Sequence, residues 1–389
     1  MEIKIERTAE QVELVKAMAS KNREVAYEAQ AALGDFIGPV LAEVIAQAPT
    51  LSNLFTSLQF NSEDNASIPL DLYHDITDED YIQIWAQNAP GGLPTNQVAP
   101  VQQELKFTTY KLDSALSFDK RYAARSRMDV VSKTFTRMAQ EILLKQDKTS
   151  ASIILSALGN AKTNGLSHVV PSVQSDRFLL ADLNKLFTLC KRIATSWAGG
   201  TPADRRGRGV TDLIVSPEIV EEIRGMAYNP INTVSNVTHS DGQGGMLQGG
   251  GDIAGTEALR ERVFNSAGIP EFYGVSIMEI HEMGTKQKWN KLFENVAGDD
   301  ITSNGNTATA TNLDSQLNFD AESDELIIGV DLSRESMIRA VATDSESGSE
   351  FDLVVDDQFV SRSQKIGYYG SLEEGRMLLD DRVLTGIIV

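Results

Sequence analysis

Residues 104–158 read ELKFTTYKLDSALSFDKRYAARSRMDVVSKTFTRMAQEILLKQDKTSASIILSAL, and the change of period inside that string decides the fold. Leu105, Phe107 and Thr109 alternate with Lys106, Thr108 and Tyr110, and Leu112, Leu116 and Phe118 carry the alternation on. Period two over that length predicts a strand with one buried face. From Ala124 the apolar residues recur instead at steps of four and three, through Met128, Val131, Phe135, Met138 and Ile142, which is one stripe of a helix. Gln146 and Thr149 interrupt the stripe, Ile154, Leu155 and Leu158 resume it, and Gly159-Asn160 supply a stop. The predicted helix, 123–158, is about ten turns long. Met128, Val131, Phe135, Met138 and Ile142 are its expected core residues, and Arg127, Lys133, Arg137, Lys145 and Lys148 fall on the other face. On pattern alone, a solvated helix in an ordinary α/β domain accounts for this stretch equally well.

The remainder of the chain narrows the choice. Its 389 residues allow two or three domains or one elongated body, and 41% hydrophobic residues suffice for a sizeable core. Lys plus Arg number 35 against 55 Asp plus Glu, a net charge of −20. Such a field repels DNA and anionic membranes, and each phosphate contact would need a cation. Cys190 is the only cysteine, which excludes intramolecular disulfides and cysteine-rich zinc sites, and its place on a helical stripe suits a core filler. No signal peptide and no membrane-spanning run are read from the sequence.

Thr8-Ala9-Glu10-Gln11 has the form of a capping box, followed by Val12, Val15 and Ala19 at helical spacing. Phe36, Ile37, Val40, Leu41, Val44 and Ile45 make a denser stripe, broken by Gly38-Pro39 and ended by Pro49, so residues 1–50 read as a helical arm. Ile68–Tyr73 and Tyr81–Ala86 are two extended runs joined by an acidic link and followed by turn residues, a long hairpin-like loop. Leu70, Leu72, Ile82, Ile84 and Trp85 lie on it without enough apolar sequence nearby to cover them, so they are expected at an assembly interface. A second helix follows at Leu180–Trp197, then a basic loop at Gly199–Gly209, a strand at Val210–Val215 and a capped helix to Arg224. Further expectations are a loop at Asn232–Ile253, a short helix at Glu257–Phe264 and a strand at Phe272–Ile280. A polar stretch at Asp299–Asp324 and strands at Leu326–Val330 and Phe351–Val355 follow, and Val383–Val389 closes the chain.

No catalytic pattern emerges. Gly242–Gly251 lacks the spacing of a phosphate-binding loop, His74, His168, His239 and His281 are scattered and read as surface or loop residues, and no G-x-S-x-G occurs. The acidic groups Asp78-Glu79-Asp80 and Asp299-Asp300 read as solvated runs. The reading is that of a non-enzyme with no cofactor and no metal.

The order of elements carries more than any motif. A helical arm precedes a long extended loop; the loop returns into Leu105–Leu112; Ala115–Tyr122 turns into the long helix. This order resembles the major capsid proteins of tailed bacteriophages, whose fold is named after phage Hong Kong ninety-seven. The resemblance implies an α+β chain. It assigns residues 1–50 to an N-arm, 51–104 to an E-loop, 105–170 to a P-domain strand and spine helix, and 171–298 to an A-domain. Residues 299–324 become a polar insertion and 325–389 the returning P-domain and A-domain strands. It implies a shell of hexamers and pentamers around double-stranded DNA held without sequence-specific contact, located in the virion capsid and assembled in the host bacterial cytoplasm. Implied partners are further copies of the chain, a portal, a scaffolding protein and, as an option, a decoration protein. With the arm starting at Met1, scaffolding is expected in a separate protein. Two other readings stay open: an encapsulin-like cellular compartment, and an α/β enzyme or binding module.

Overall fold

The computed structural model describes residues 8–47, 50–61, 67–69, 104–163, 166–174, 177–193, 209–228, 239–240, 246–247, 271–272, 274–298, 301–303, 306–308, 319–334, 336–343, 349–356 and 364–389. The fold is α+β. It divides into one unit drawn from Met1–Leu72, Ala99–Ile153 and Met337–Leu379, and a second containing Ile154–Ser336 and Asp380–Val389.

In the first unit the arm is two helices, Ala9–Ala17 and Arg23–Gln47. Thr8 caps the first, its hydroxyl accepting from the Gln11 amide at 3.3 Å. The second does not break at Gly38-Pro39 as the sequence suggests. Gly34 and Gly38, one turn apart, face the strand Asp352–Asp356, where a Cβ on Gly34 would stand 3.3 Å from the Leu353 carbonyl. Pro39 lies on the exposed side, where water can satisfy the carbonyl its ring leaves without a donor. Of the two residues that read as breakers, Gly38 lies against Leu353 in ordinary contact and Pro39 faces solvent.

The central strand of this unit is Lys365–Leu378, which the sequence reading did not single out. One edge pairs antiparallel with Tyr110–Asp119 from Lys365↔Asp119 to Glu374↔Tyr110. The other edge is shared: Asp352–Asp356 pairs with its first half and Met337–Thr343 with its second. Thr56–Asn61 then adds in parallel outside Met337–Thr343. Ser67–Pro69 pairs antiparallel with Glu104–Lys106, from Ser67↔Lys106 to Pro69↔Glu104.

The strand does not feed straight into one helix. Lys120–Ala124 is a separate short helix, and the long one is Met128–Asn160. Between them the Ser126 amide donates to Ala123 and the Arg127 amide to Tyr122, with Ser126 at φ 51°. That is a Schellman ending, with serine where glycine is usual, and its absent glycine is why the break was unread. It also rotates the stripe: Ala123 is buried and Ala124, read as the stripe's first member, is exposed. Val131, Phe135, Met138 and Ile142 are buried in one core with Leu33, Ile37, Leu41 and Tyr368. The Phe135 ring meets Tyr368 edge-on at 5.3 Å between centroids. Met128 lies in the helix, but its side chain is outside the described residues.

The second unit is a six-stranded sheet in the order Glu271–Phe272, Val275–Glu279, Asp212–Val215, Leu326–Val330, Leu384–Ile388, Val169–Pro171. The run expected as one strand at Phe272–Ile280 is a tight hairpin turned at Gly274, whose φ of 78° suits glycine. Helices Leu180–Ile193 and Pro217–Tyr228 contribute Leu183, Leu186, Cys190, Ile219 and Ile223 to the same core as Leu213, Ile327 and Ile387. A helix the sequence reading did not anticipate, Lys288–Gly298, buries Trp289 and Phe293. Within the polar stretch 299–324, Ile301–Ser303 pairs with Asn306–Ala308, and Phe319 packs edge-on against Phe293 at 5.0 Å. Glu257–Phe264 and Gly199–Arg208 lie outside the described residues.

Candidate functional site

The most elaborate side-chain arrangement lies in the first unit, and it is built by alternation. Along Lys365–Leu378 the even-numbered residues Ile366, Tyr368, Gly370, Leu372, Glu374 and Arg376 are buried, so the strand turns two charges onto its core-facing side after three apolar residues and a glycine. Arg339 stands opposite Arg376 in the register. Two like charges directly opposed disfavour a sheet; Glu374 resolves the conflict. Its Oε2 accepts from Arg339 Nε at 2.8 Å, Arg376 Nη2 at 3.1 Å and Gln146 Nε2 at 3.0 Å, and its Oε1 accepts from the Tyr110 hydroxyl at 2.8 Å.

The network continues outward through Arg376. Its Nη1 donates to the Gln146 carbonyl at 2.7 Å and its Nη2 to Ser52 Oγ at 2.6 Å, and the guanidinium lies over the Phe55 ring at 6.0 Å. Arg339 Nη1 reaches Glu350 at 3.7 Å. Nearby, Asp147 accepts from the Leu51 amide at 3.0 Å and Glu373 from the Thr109 hydroxyl at 2.8 Å. Burial and the Glu374 charge push the Tyr110 hydroxyl up to about 12, so it stays a donor. Burial pulls Arg376 below the usual guanidinium value, with Glu374 opposing.

Several of these partners flank residues 62–103 in the chain. Ser52, Phe55 and the strand Thr56–Asn61 hold the outgoing end. Thr109 and Tyr110 hold the returning end. Phe60 from the first and Phe107 from the second pack with Ile338 and Ala340. Gly375 admits the returning chain, since a Cβ there would come within 2.7 Å of the Thr108 carbonyl oxygen. The site is a clamp on both roots of that segment, and its chemistry is charge-assisted hydrogen bonding.

No protein-family model matches the chain, and no curated protein sequence matches it. Solved structures do. The capsid of cyanophage P-SCSP1u is 13% identical, covering 87% of this chain and 88% of that one, with a TM-score of 0.45. The capsid of a native GTA particle is 12% identical over 87% and 89%, with a TM-score of 0.47. The SrpI encapsulin of Synechococcus elongatus is 11% identical over 87% and 85%, with a TM-score of 0.43. These are likenesses of outline.

Of the residues singled out from the sequence, Leu70, Leu72, Ile82, Ile84 and Trp85 lie outside the described residues, as do the acidic groups 78–80 and 299–300. Val131, Phe135, Met138 and Ile142 lie in the helix core that ends at the clamp. The clamp itself was missed. Gln146, read as a gap in the stripe, is buried and sits one helical turn beyond Ile142; a polar residue in phase with an apolar stripe was the available signal. Glu374 and Arg376 carried the same signal in strand period. His168, read as a surface or loop residue, is also buried, in the second unit, where burial pulls its imidazole down against the charge of Asp381. Among the described residues no group of three or more His, Cys, Asp or Glu could hold a metal ion, and no helix is long and apolar enough to cross a membrane.

Proposed function

We propose that this chain is a self-assembling shell subunit, a major capsid protein of the tailed-phage kind, in which residues 62–103 act as an E-loop gripping a neighbouring copy. The observation that supports this most directly is the clamp: both roots of that segment are fixed on one strand by a buried ionic network, an expensive device for an ordinary surface loop. The element order around it, helical arm, rooted loop, strand, long helix, fits the same role. So does a net charge of −20, which keeps a container from adhering to enclosed DNA.

The loop carries Leu70, Leu72, Ile82, Ile84 and Trp85, of which Trp85 is the expected anchor, tryptophan being frequent among interface hot spots. The shell is built of hexamers and pentamers and works with a scaffolding protein and a portal. Replacing residues 71–92 by a short flexible linker should leave a protein that folds by circular dichroism and melts cooperatively, yet no longer sediments as closed particles. Intact, salt-resistant particles from that variant would overturn the assignment of the loop. An unmodified protein that stays a small oligomer under all conditions, with its assembly partners present, would overturn the shell. DNA inside the particles favours the capsid; an enclosed enzyme favours the encapsulin-like compartment.

A further inference from the structure

Two helix faces of the first unit complement one another without meeting within it. The helix Arg23–Gln47 buries Ala29, Leu33, Ile37, Leu41 and Ile45 in its own core. Its other side exposes Val25, Phe36 and Val40, with Phe36 57% exposed. Around them stand Glu28, Asp35 and Glu43, and after Arg23 the helix contains no lysine or arginine. This is an acidic ridge with an aromatic crest. The helix Met128–Asn160 exposes the opposite character. Lys133, Arg137, Lys145 and Lys148 lie on its outer side around Leu144, which is 52% exposed, with Glu141 the one carboxylate among them. Asp147 is turned away to the Leu51 amide.

We infer that the acidic ridge of one copy docks on the basic ridge of a second copy, Phe36 and Val40 seating against Leu144 while Glu28 and Asp35 face Lys145 and Lys148. The occupant is argued from charge: in a chain with 55 acidic against 35 basic residues, a concentrated basic face selects an acidic, apolar-crested helix, and this chain presents one. Because the two patches differ, the contact is heterologous and propagates from copy to copy, closing into rings or shells. The inference rests on the shell reading only for what the repeated contact builds.

The test uses two full-length variants, Glu28→Lys with Asp35→Lys, and Lys145→Glu with Lys148→Glu. All four positions are exposed, so both variants should fold, which circular dichroism checks. Each alone should lose about tenfold or more of its sedimenting assembly at low salt, because like ridges then face one another. Mixing them should restore association, read by light scattering, since both basic ridges of one variant then meet the acidic ridges of the other in alternating chains and even-membered rings. If both variants assemble alone as the unmodified protein does, the docking is overturned and the shell reading stands. If they assemble alone but fail to recruit a separate helper protein, the ridges belong to that helper and copy-to-copy docking is likewise overturned. If the unmodified protein builds no particle at all, the shell reading fails, and selective association of the mixture, seen by light scattering, would still uphold the docking.

Discussion

The two units solve the centre of a sheet in opposite ways. The second runs Leu326–Val330 beside Leu384–Ile388 with every residue of both buried, apolar on both faces save for Thr385, whose hydroxyl donates to the Gly329 carbonyl at 3.2 Å. The first places Glu374 between two arginines. An apolar strand covered on both faces buries comparable surface if it slips by one residue, whereas a carboxylate with four donors has one register that satisfies it. Apolar packing supplies stability; the ionic clamp specifies position. It stands at the two roots of residues 62–103.

Breaking the clamp should give the largest effect. Glu374→Ala leaves Arg339 and Arg376 buried without their shared partner, a loss of about 3–5 kcal/mol. Denaturant unfolding should show that loss, and a change below about 1 kcal/mol would mean that the network is dispensable. Ile327→Val, at the apolar centre of the second unit, should cost only about 0.5–1.5 kcal/mol and leave assembly unchanged. An equal or larger loss there would erase the contrast between the units. The finest probe is alkaline pH. Tyr110 keeps its proton to about 12, against an ordinary value near 10. The folded state therefore binds more protons in that window, and stability present below pH 10 declines as pH rises toward 12. Buried Tyr368 contributes in the same direction. Tyr110→Phe should flatten part of that decline, and an unchanged slope would detach Tyr110 from the clamp.

The arm, the long helix and the apolar strands were largely legible because their periods are carried by consecutive residues, whereas the helix Lys288–Gly298 was not read. The limits of that legibility are local and physical. Ser126 ends a helix in a conformation that sequence readers assign to glycine, and Pro39 continues one that proline usually ends. The clamp was illegible because its members are far apart in the chain and individually ordinary: a glutamine, a serine, two arginines and a glutamate acquire meaning only once the strands pair. His168 belongs to the same class.

That separation has a consequence in time. Ser52 and Arg376 are 324 residues apart, and Tyr110 and Glu374 are 264 apart. Chains are made at about 5–20 residues per second, so the roots wait on the order of ten seconds or more for the strand that clamps them. Contacts of such long range form slowly in any case. A nascent chain truncated before Lys365 possesses both helices of the arm and the long helix but lacks the strand to which Ser52, Thr109 and Tyr110 bond. If the chain assembles as proposed, competence to join neighbours would be conferred last, by Lys365–Leu378, and that strand would serve as a checkpoint against unfinished polypeptides.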